Sequence, residues 1–545
     1  MDLTLATSTE ELREGLRASW RRSGWHRGIN LADAVSHCVQ LHGADRVRFT
    51  AEDHARDVSI SELVDESARV ATVLAELGVR PGDAIALHVP SWPEGVSVLC
   101  AGLWLRATVV PIPGIYRPAE VEFILEDAKV STYVMAARWR QHDFTGDLAK
   151  VSRASHLERV IVIGDPVPGG CIAWSEIAER ARCAVPVSVD RFRCPATELA
   201  FVVYTSGSTA KPKGVRHSSD TMLAEFAQGW RQFGKSGVFL EGFPAGHMGG
   251  LIAALRPLIY GQRTVMLDHW NADLAAHLVE DLKVTSVTGP PFYLTTLLEA
   301  AEQHGLDLSS IGDFSTGGSG VPAVLIERAN DAGVLAYRTY GSTEHSTVAT
   351  NVPTDALSDR SRTDGLTLEG AALRVLDEGD QDVPRGRQGE VITRGPDQFL
   401  GYTDDDVNRA AFTSDGWFRT GDLGWINDDG RLVISGRKKD IIIRGGEKLS
   451  SEEIEDVLAR HPAVSHVAVV GLADALYGER TCAFVVLREG STLTLDEVKE
   501  HFRSADVARQ KTPEKLVIKS EFPRTAAGKV RKNALREELE RGESA

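Results

Sequence analysis

Between Tyr204 and Gly214 the chain reads Tyr-Thr-Ser-Gly-Ser-Thr-Ala-Lys-Pro-Lys-Gly, directly after the apolar run Leu199-Ala-Phe-Val-Val. The hydroxyls of Thr205, Ser206, Ser208 and Thr209 interleave with Gly207, and Lys213 follows. Glycine lets backbone amides approach an anion closely, hydroxyls donate hydrogen bonds to its oxygens, and lysine adds charge. Such a loop suits the grip of a polyphosphate. It is not the common P-loop, because no Gly-Lys-Ser/Thr follows Gly207 at the required spacing. Composition alone leaves a plain flexible Gly/Ser loop open as well.

Further clusters of chemically capable residues follow. They are Pro244-Ala-Gly-His247-Met248-Gly249-Gly, Ser315-Thr-Gly317-Gly318-Ser319-Gly and Tyr340-Gly341-Ser342-Thr343-Glu344. Next come Gly389-Glu-Val with Arg394-Gly-Pro and Gly401-Tyr402, then Trp417-Phe-Arg-Thr-Gly-Asp422 and Gly436-Arg437-Lys-Lys439-Asp440. Gly445-Gly446-Glu447 and Pro523-Arg-Thr-Ala-Ala-Gly-Lys529 complete the series. Singly, each has a plainer reading. Glu344 could be a solvated acid, Tyr340 a core tyrosine, Thr-Gly-Asp422 a turn, His247 a structural loop histidine and Lys529 a solvated lysine.

In this order and register, from about residue 30 to residue 540, the motifs resemble those of the adenylate-forming superfamily. That superfamily includes acyl-CoA synthetases, peptide-synthetase adenylation domains and beetle luciferases. The resemblance implies an ATP-dependent acid–CoA ligase. A carboxylate and ATP would give an acyl-adenylate and pyrophosphate, and coenzyme A would then take the acyl group and release AMP. Thr205, Ser206, Gly207, Ser208, Thr209 and Lys213 would contact the phosphates, and Glu344 would hold Mg2+, a hard ion suited to carboxylate oxygen. Ala210 departs from the family's usual glycine but leaves those hydroxyls and Lys213 intact.

The resemblance also assigns a nucleotide pocket to Gly317, Gly318, Ser319, Tyr340, Gly341, Ser342 and Thr343, with Tyr340 stacked on adenine. Asp422 would accept the ribose hydroxyls, Arg437 would reach ribose or phosphate, and Lys529 would stabilise charge at the α-phosphorus. His247 would lie by the acyl carboxylate, with Trp230, Met248 and Gly249 in the acyl pocket. Lys439 would be the hinge about which a small domain rotates, bringing Gly445 and Gly446 to the pantetheine tunnel. Ser342 stands where many relatives have a larger apolar residue, which leaves room for a bulky or cyclic acyl group.

These residues need a scaffold. Apolar β-branched runs at 84–89, 109–112, 159–164 and 199–204 alternate with amphipathic stretches at 60–77 and 118–128, the pattern of an α/β fold with largely parallel sheets. From Trp417 to Ser435 the turn signals Gly421-Asp422, Asp428-Asp429-Gly430 and Ser435-Gly436 predict tight turns between short strands. A helix over 451–461, strands at 464–470 and 482–487, and a helix at 495–502 capped by Thr494 and Glu497 predict a separate α+β unit. The expected division is an N-terminal AMP-binding domain at 1–436, a hinge at 437–440 and a mobile C-terminal domain at 441–545. The superfamily adds a β-barrel-like subdomain to the parallel-sheet subdomains of the large domain.

Composition excludes other classes. A formal charge of −16 argues against broad nucleic-acid or anionic-membrane binding, though local clusters such as Arg437-Lys438-Lys439 still suit a small polyphosphate. Six cysteines without a Cys-x-x-Cys pair read as reduced thiols of a cytoplasmic protein. The apolar window 95–105 is about half a membrane span and runs into Arg106, and no signal peptide is visible. The expected partners are a small carboxylic acid and CoA, with a monomer or homodimer as the assembly.

Within the superfamily, the stretch before His247 lacks the aspartate that amino-acid adenylation domains present to an ammonium group. No carrier domain is expected after the Lys529 motif. The hinge region shows no insertion of the kind fatty acyl-AMP ligases carry. A luciferase-type oxygenase would use the same adenylation residues, whereas a non-catalytic relative would have lost Glu344 or Lys529. The runs Leu267-Asp268-His-Trp270-Asn-Ala-Asp273 and Thr288-Gly-Pro-Pro-Phe292 resemble the branch of cyclohexanecarboxylate–CoA ligases and medium-chain acid ligases.

Overall fold

The computed structural model describes residues 9–151, 154–188, 194–205, 212–233, 237–444, 447–474, 476–505, 507–525 and 528–542. The apolar runs form the strands their composition predicts. Ala84–His88, Thr108–Pro111, Val130–Ala136, Arg159–Ile163 and Leu199–Thr205 lie parallel in one eight-stranded sheet. All five residues of Ala84–His88 are buried, as continuous apolar strands of a covered parallel sheet should be. The helix Ile60–Glu76 packs its buried face on the neighbouring helix Pro93–Trp104. Its start is fixed by a capping box in which Ser59 and Glu62 satisfy each other's backbone amides.

A second, nine-stranded sheet has Ser286–Gly289, Asp313–Thr316 and Ala336–Tyr340 as adjacent parallel strands, with Val238–Glu241 on the other side of the first. The nucleotide-type motifs 315–319 and 340–344 therefore leave neighbouring strands at the same edge, where ligands of parallel α/β sheets gather. A four-stranded antiparallel sheet follows, in the order Ala372–Leu376, Gly389–Arg394, Phe418–Ile426, Leu432–Arg437.

Two predicted turns in that sheet are corrected. Gly421-Asp422 and Ser435-Gly436 lie inside the strands Phe418–Ile426 and Leu432–Arg437. Gly421 (φ 71°) and Gly436 (φ 141°) take positive φ where the register shifts, so the glycines mark an irregular ladder and not a chain reversal. Asp428-Asp429-Gly430 is the turn, closed by Gly430 N–H donating to the Asn427 carbonyl.

A single turn of 3-10 helix, Lys438–Asp440, then leads into a five-stranded mixed sheet containing Ile441–Arg444, Glu447–Ser450, Val464–Asp474, Gly478–Leu487 and Lys515–Lys519. The helix expected over 451–461 ends at Leu458, and the chain turns through His461 into the next strand. The helix Leu495–Ser504 has the Thr494–Glu497 capping box read from its sequence. This C-terminal part rests on the nine-stranded sheet's side of the molecule. Ala323 N–H donates to Asp456 Oδ1 at 3.1 Å, and the Ser465 hydroxyl donates to Glu299 Oε1 at 3.3 Å.

Candidate active site

Thr205 and Lys213 are a registered pair on the antiparallel strands Leu199–Thr205 and Lys213–Ser218, so both ends of the intervening loop are held side by side. Ser206, Gly207, Ser208 and Thr209 lie outside the described residues. Gly214 is required here, since a Cβ would stand 2.8 Å from the Thr403 side chain. Tyr204 is buried and donates to Asp127 at 2.5 Å, which anchors the strand end.

The segment 341–347 folds back on itself at the end of Ala336–Tyr340. Ser342 N–H donates to the His345 carbonyl (2.8 Å), His345 N–H donates to Ser342 Oγ (3.2 Å), and Val348 N–H donates to the Tyr340 carbonyl (2.9 Å). A side chain on Gly341 would collide with the Ser346 carbonyl, so the fold-back depends on glycine. Behind the loop, His345 bridges Asp397 Oδ1 (3.1 Å) and Thr393 Oγ1 (3.0 Å), and His217 Nε2 donates to the Thr343 carbonyl at 2.8 Å. His345 and Asp397 are buried. Glu344 thus has a fixed backbone, and its Oε1 accepts a 2.7 Å hydrogen bond from the Tyr402 hydroxyl.

Asp422 and Arg437 are opposite each other on adjacent strands. Arg437 Nε donates to Asp422 Oδ1 at 2.6 Å and the Tyr340 hydroxyl donates to Oδ2 at 2.7 Å. Desolvation, followed by the Asp422 charge, pushes the Tyr340 phenol pKa well up, so it stays a donor. Three of the residues expected at the nucleotide are therefore joined directly.

Lys529 follows a tight turn in which Thr525 N–H donates to the Lys529 carbonyl (2.7 Å) and Gly528 has φ 76°. Arg524 locks that turn in place. Its Nη1 donates to the Gly528 carbonyl at 2.8 Å, and its guanidinium lies 4.4 Å from the Phe292 ring centroid. The Lys529 ammonium then comes within 3.8 Å of the position a Cβ on Gly318 would take. The side chain is solvent-accessible within the cleft. The surrounding protein, followed by Arg437, pushes its pKa down, while Asp422 and Glu344 pull it up. Water reaching the ammonium screens part of that push.

His247 closes a turn, its N–H donating to the Pro244 carbonyl at 3.1 Å, and is also the N-cap residue of the helix Met248–Tyr260. Burial, with the Lys529 charge as a second cause, pushes its pKa down to about 4, so the ring is neutral near pH 7. Met248 is buried behind it, and Gly249 faces the Phe243 ring, 3.0 Å from where a Cβ would be. Trp230 belongs to the helix Ser219–Phe233, and its side chain lies outside the described residues. Lys439 is in the 3-10 turn, with its pKa pushed down by burial and then by Arg437. Gly445 and Gly446 lie outside the described residues, between the registered pair Arg444 and Glu447.

The structure thus gathers Tyr340, Glu344, Asp422, Arg437, Gly318, His247 and Lys529 around one cleft. Sequence reasoning gave no role to Tyr402, although its Gly-Tyr motif was visible, and none to Asp397 or Arg524. The branch-like run at 267–273 serves packing. Trp270 stacks on Tyr293 with centroids 4.0 Å apart, and Asp268 accepts from Trp139 Nε1 at 2.9 Å.

The sequence profile described as AMP-binding enzyme matches residues 36–403, and that of the AMP-binding enzyme C-terminal domain matches residues 453–529. The chain is 30% identical over 541 residues to a medium-chain fatty-acid–CoA ligase of Escherichia coli, covering 98% of this chain and 94% of that protein. It is 33% identical over 507 residues to an indoleacetate–CoA ligase of Aromatoleum aromaticum, covering 91% and 95%. Among solved structures, ATP-bound MatB from Rhodopseudomonas palustris superposes with a TM-score of 0.81 at 26% identity, covering 93% of this chain and 99% of that one.

Proposed function

The chain belongs to the AMP-binding enzyme family, and on that premise we propose that its substrate is a medium-chain, alicyclic or steroid-derived carboxylic acid. It is an AMP-forming acid–thiol ligase that uses ATP, Mg2+ and CoA. The observation that carries the residue-level reading is the convergence of Lys529 with Gly318, Glu344, Asp422 and His247 in one cleft. The relatives that act on medium-chain fatty acid and indoleacetate support an acid of intermediate size.

In this reading Asp422, oriented by Arg437 and Tyr340, receives the ribose hydroxyls. Thr205 and Lys213 hold the phosphates from the two ends of the glycine-rich loop. Among the described residues no group of three or more His, Cys, Asp or Glu could hold a metal. That fits Mg2+, which is typically held by one or two carboxylates together with substrate phosphates. Glu344 is the carboxylate that would hold it, and the ion would neutralise phosphate charge.

One oxygen of the substrate carboxylate attacks the α-phosphorus, the bond to the bridging oxygen breaks, and pyrophosphate leaves. Lys529 meets the shifting charge, a contribution of about 3–4 kcal/mol for a preorganised donor. Neutral His247 flanks the acyl carbon without adding a competing charge. In the second step the CoA sulfur, as thiolate, attacks that carbon and AMP leaves. We assign the turnover between steps to rotation of a domain at 441–545 on a hinge at 437–440, which withdraws Lys529 and presents Gly445-Gly446.

The test is pyrophosphate release across alicyclic, aromatic, steroid-derived and straight-chain acids, with and without CoA. Thioester formation with medium-sized acids is expected. A clear preference for long straight chains would reject the size class. Adenylate without thioester for every acid turned over would reassign the chain as an acyl-AMP ligase.

A further inference from the structure

Several buried polar atoms near the helix Met248–Tyr260 have no hydrogen-bond partner among the described residues: His247 Nε2, Arg256 Nε, Glu241 Oε2, Glu225 Oε2 and Gln228 Oε1. Glu225, Gln228 and Glu241 are each at least nine-tenths buried. Native interiors pair such atoms almost without exception, so a cluster of them calls for an explanation.

The strands beneath have two unlike faces. Leu240, Val287, Phe314 and Ala336 point into an apolar core. Their neighbours in register, Glu241 with Thr288 and Ser315, and Ser286 with Asp313, form the opposite face. A parallel sheet covered on both sides is ordinarily apolar on both. The helix that His247 caps reaches this face through Arg256. Arg256 lies two turns beyond Gly249, on the same side and about 10 Å along the axis. Its guanidinium sits 4.0 Å from the Phe239 ring centroid and forms no ion pair among the described residues.

Glu225 reaches the same region from the helix Ser219–Phe233, with its Oε1 accepting from Thr347 at 2.7 Å in the segment after Glu344. Burial pushes both the Glu225 and the Glu241 carboxyls up to about 8, so near neutral pH each is chiefly a hydroxyl donor. Asp313, half-buried and accepting from the Tyr337 hydroxyl at 2.6 Å, lies within electrostatic reach of Arg256. Burying a second substrate carboxylate among these acidic side chains would carry a desolvation cost that a neutral oxygen avoids. The guanidinium donors, with the two carboxyl protons, suit such a neutral acceptor. An alkyl end would leave all of them unpaired.

We propose that the acyl site ends in a polar subsite of Arg256, Glu225 and Glu241 that selects acids carrying a ketone or hydroxyl oxygen remote from the activated carboxylate. This rests on the reading of His247 to Gly249 as the inner wall of the acyl site.

The experiment compares kcat/KM for octanoate, decanoate and dodecanoate with their ω-hydroxy and terminal methyl-ketone counterparts and with sebacate, in wild type and Arg256→Met. The wild type should favour the ketone or hydroxy acid over its parent by at least about tenfold, because a site built around hydrogen bonds rejects analogues that lack them. Sebacate should not share that gain. Arg256→Met should erase or invert the ratio while KM for ATP stays unchanged. Equal or better use of the unsubstituted acids by the wild type would overturn the subsite, and so would a ratio unaltered in the variant. If Arg256→Met does not fold, the wild-type ratios decide alone. Failure to release pyrophosphate with any acid would instead reject the ligase reading itself.

Discussion

The Tyr402 hydroxyl donates to Glu344 Oε1 at 2.7 Å, joining the edge strand of the eight-stranded sheet to the loop that leaves the nine-stranded one. The same ring lies 5.4 Å from Lys213 Nζ, so one tyrosine faces both the carboxylate and the lysine expected at the phosphates. Groups that orient a metal-binding carboxylate commonly contribute 10–100-fold to metal affinity or activity. Tyr402→Phe should therefore raise the Mg2+ concentration for half-maximal pyrophosphate release by about tenfold, with KM for the acid little changed. A Mg2+ titration checks this, and an unaltered requirement would remove Tyr402 from the site.

Lys529 is predicted to act in one half-reaction only. Lys529→Ala should slow adenylation by about 100-fold or more, yet largely spare thioester formation from a supplied acyl-adenylate. Equal losses in both would make the lysine structural. The pKa direction gives a second readout. Because the pKa is lowered, the ammonium discharges at lower pH than a free lysine, and adenylation should fall off early on the alkaline side. Lys529→Arg keeps its charge there, so its alkaline limb should move upward even if its rate is lower.

How legible all this was depends on the range over which each residue's neighbours act. The capping box at Thr494 and Glu497 and the buried strand at Ala84–His88 follow from local chemistry and hydrophobic pattern, and both were readable. Gly421 and Gly436 misled because glycine signals positive φ, which serves a bulged ladder as well as a turn. The motif residues were identifiable one at a time, but their pairings were not. Tyr340 with Asp422 and Tyr402 with Glu344 are 82 and 58 residues apart in the chain. The polar lining around Arg256 was invisible for a related reason. Glu225, Glu241 and Asp313 lie on separate elements, and only strand register and the crossing helix bring them together.

The hinge assignment gives a third prediction. Lys439 lies in a 3-10 turn, a backbone compatible with the fixed φ of proline. Lys439→Pro should hold the chain in the orientation that places Lys529 by Gly318. Adenylation should stay within about twofold of wild type, while thioester formation falls by about tenfold or more. Single-turnover measurement of each half-reaction separates the two. Parallel loss of both steps would reject a hinge at this position.

Glu241 makes the polar lining measurable through stability. Its carboxyl has a pKa raised from 4.5 to about 8 by burial. The folded state therefore holds the proton more tightly than the unfolded chain. The stability this gives is fully present below the unfolded value and is lost as pH rises through the folded one. Glutamine cannot ionise, so Glu241→Gln should gain on wild type as pH rises. The difference in Tm should grow in the variant's favour from about pH 5 to about pH 8, by about 2 °C or more. Glu225 titrates in the same direction in both proteins and cancels in that difference. Thermal unfolding across the pH series provides the measurement. A difference that stays flat, or turns against the variant as pH rises, would mean that Glu241 is ionised in the folded protein and that its oxygen is paired.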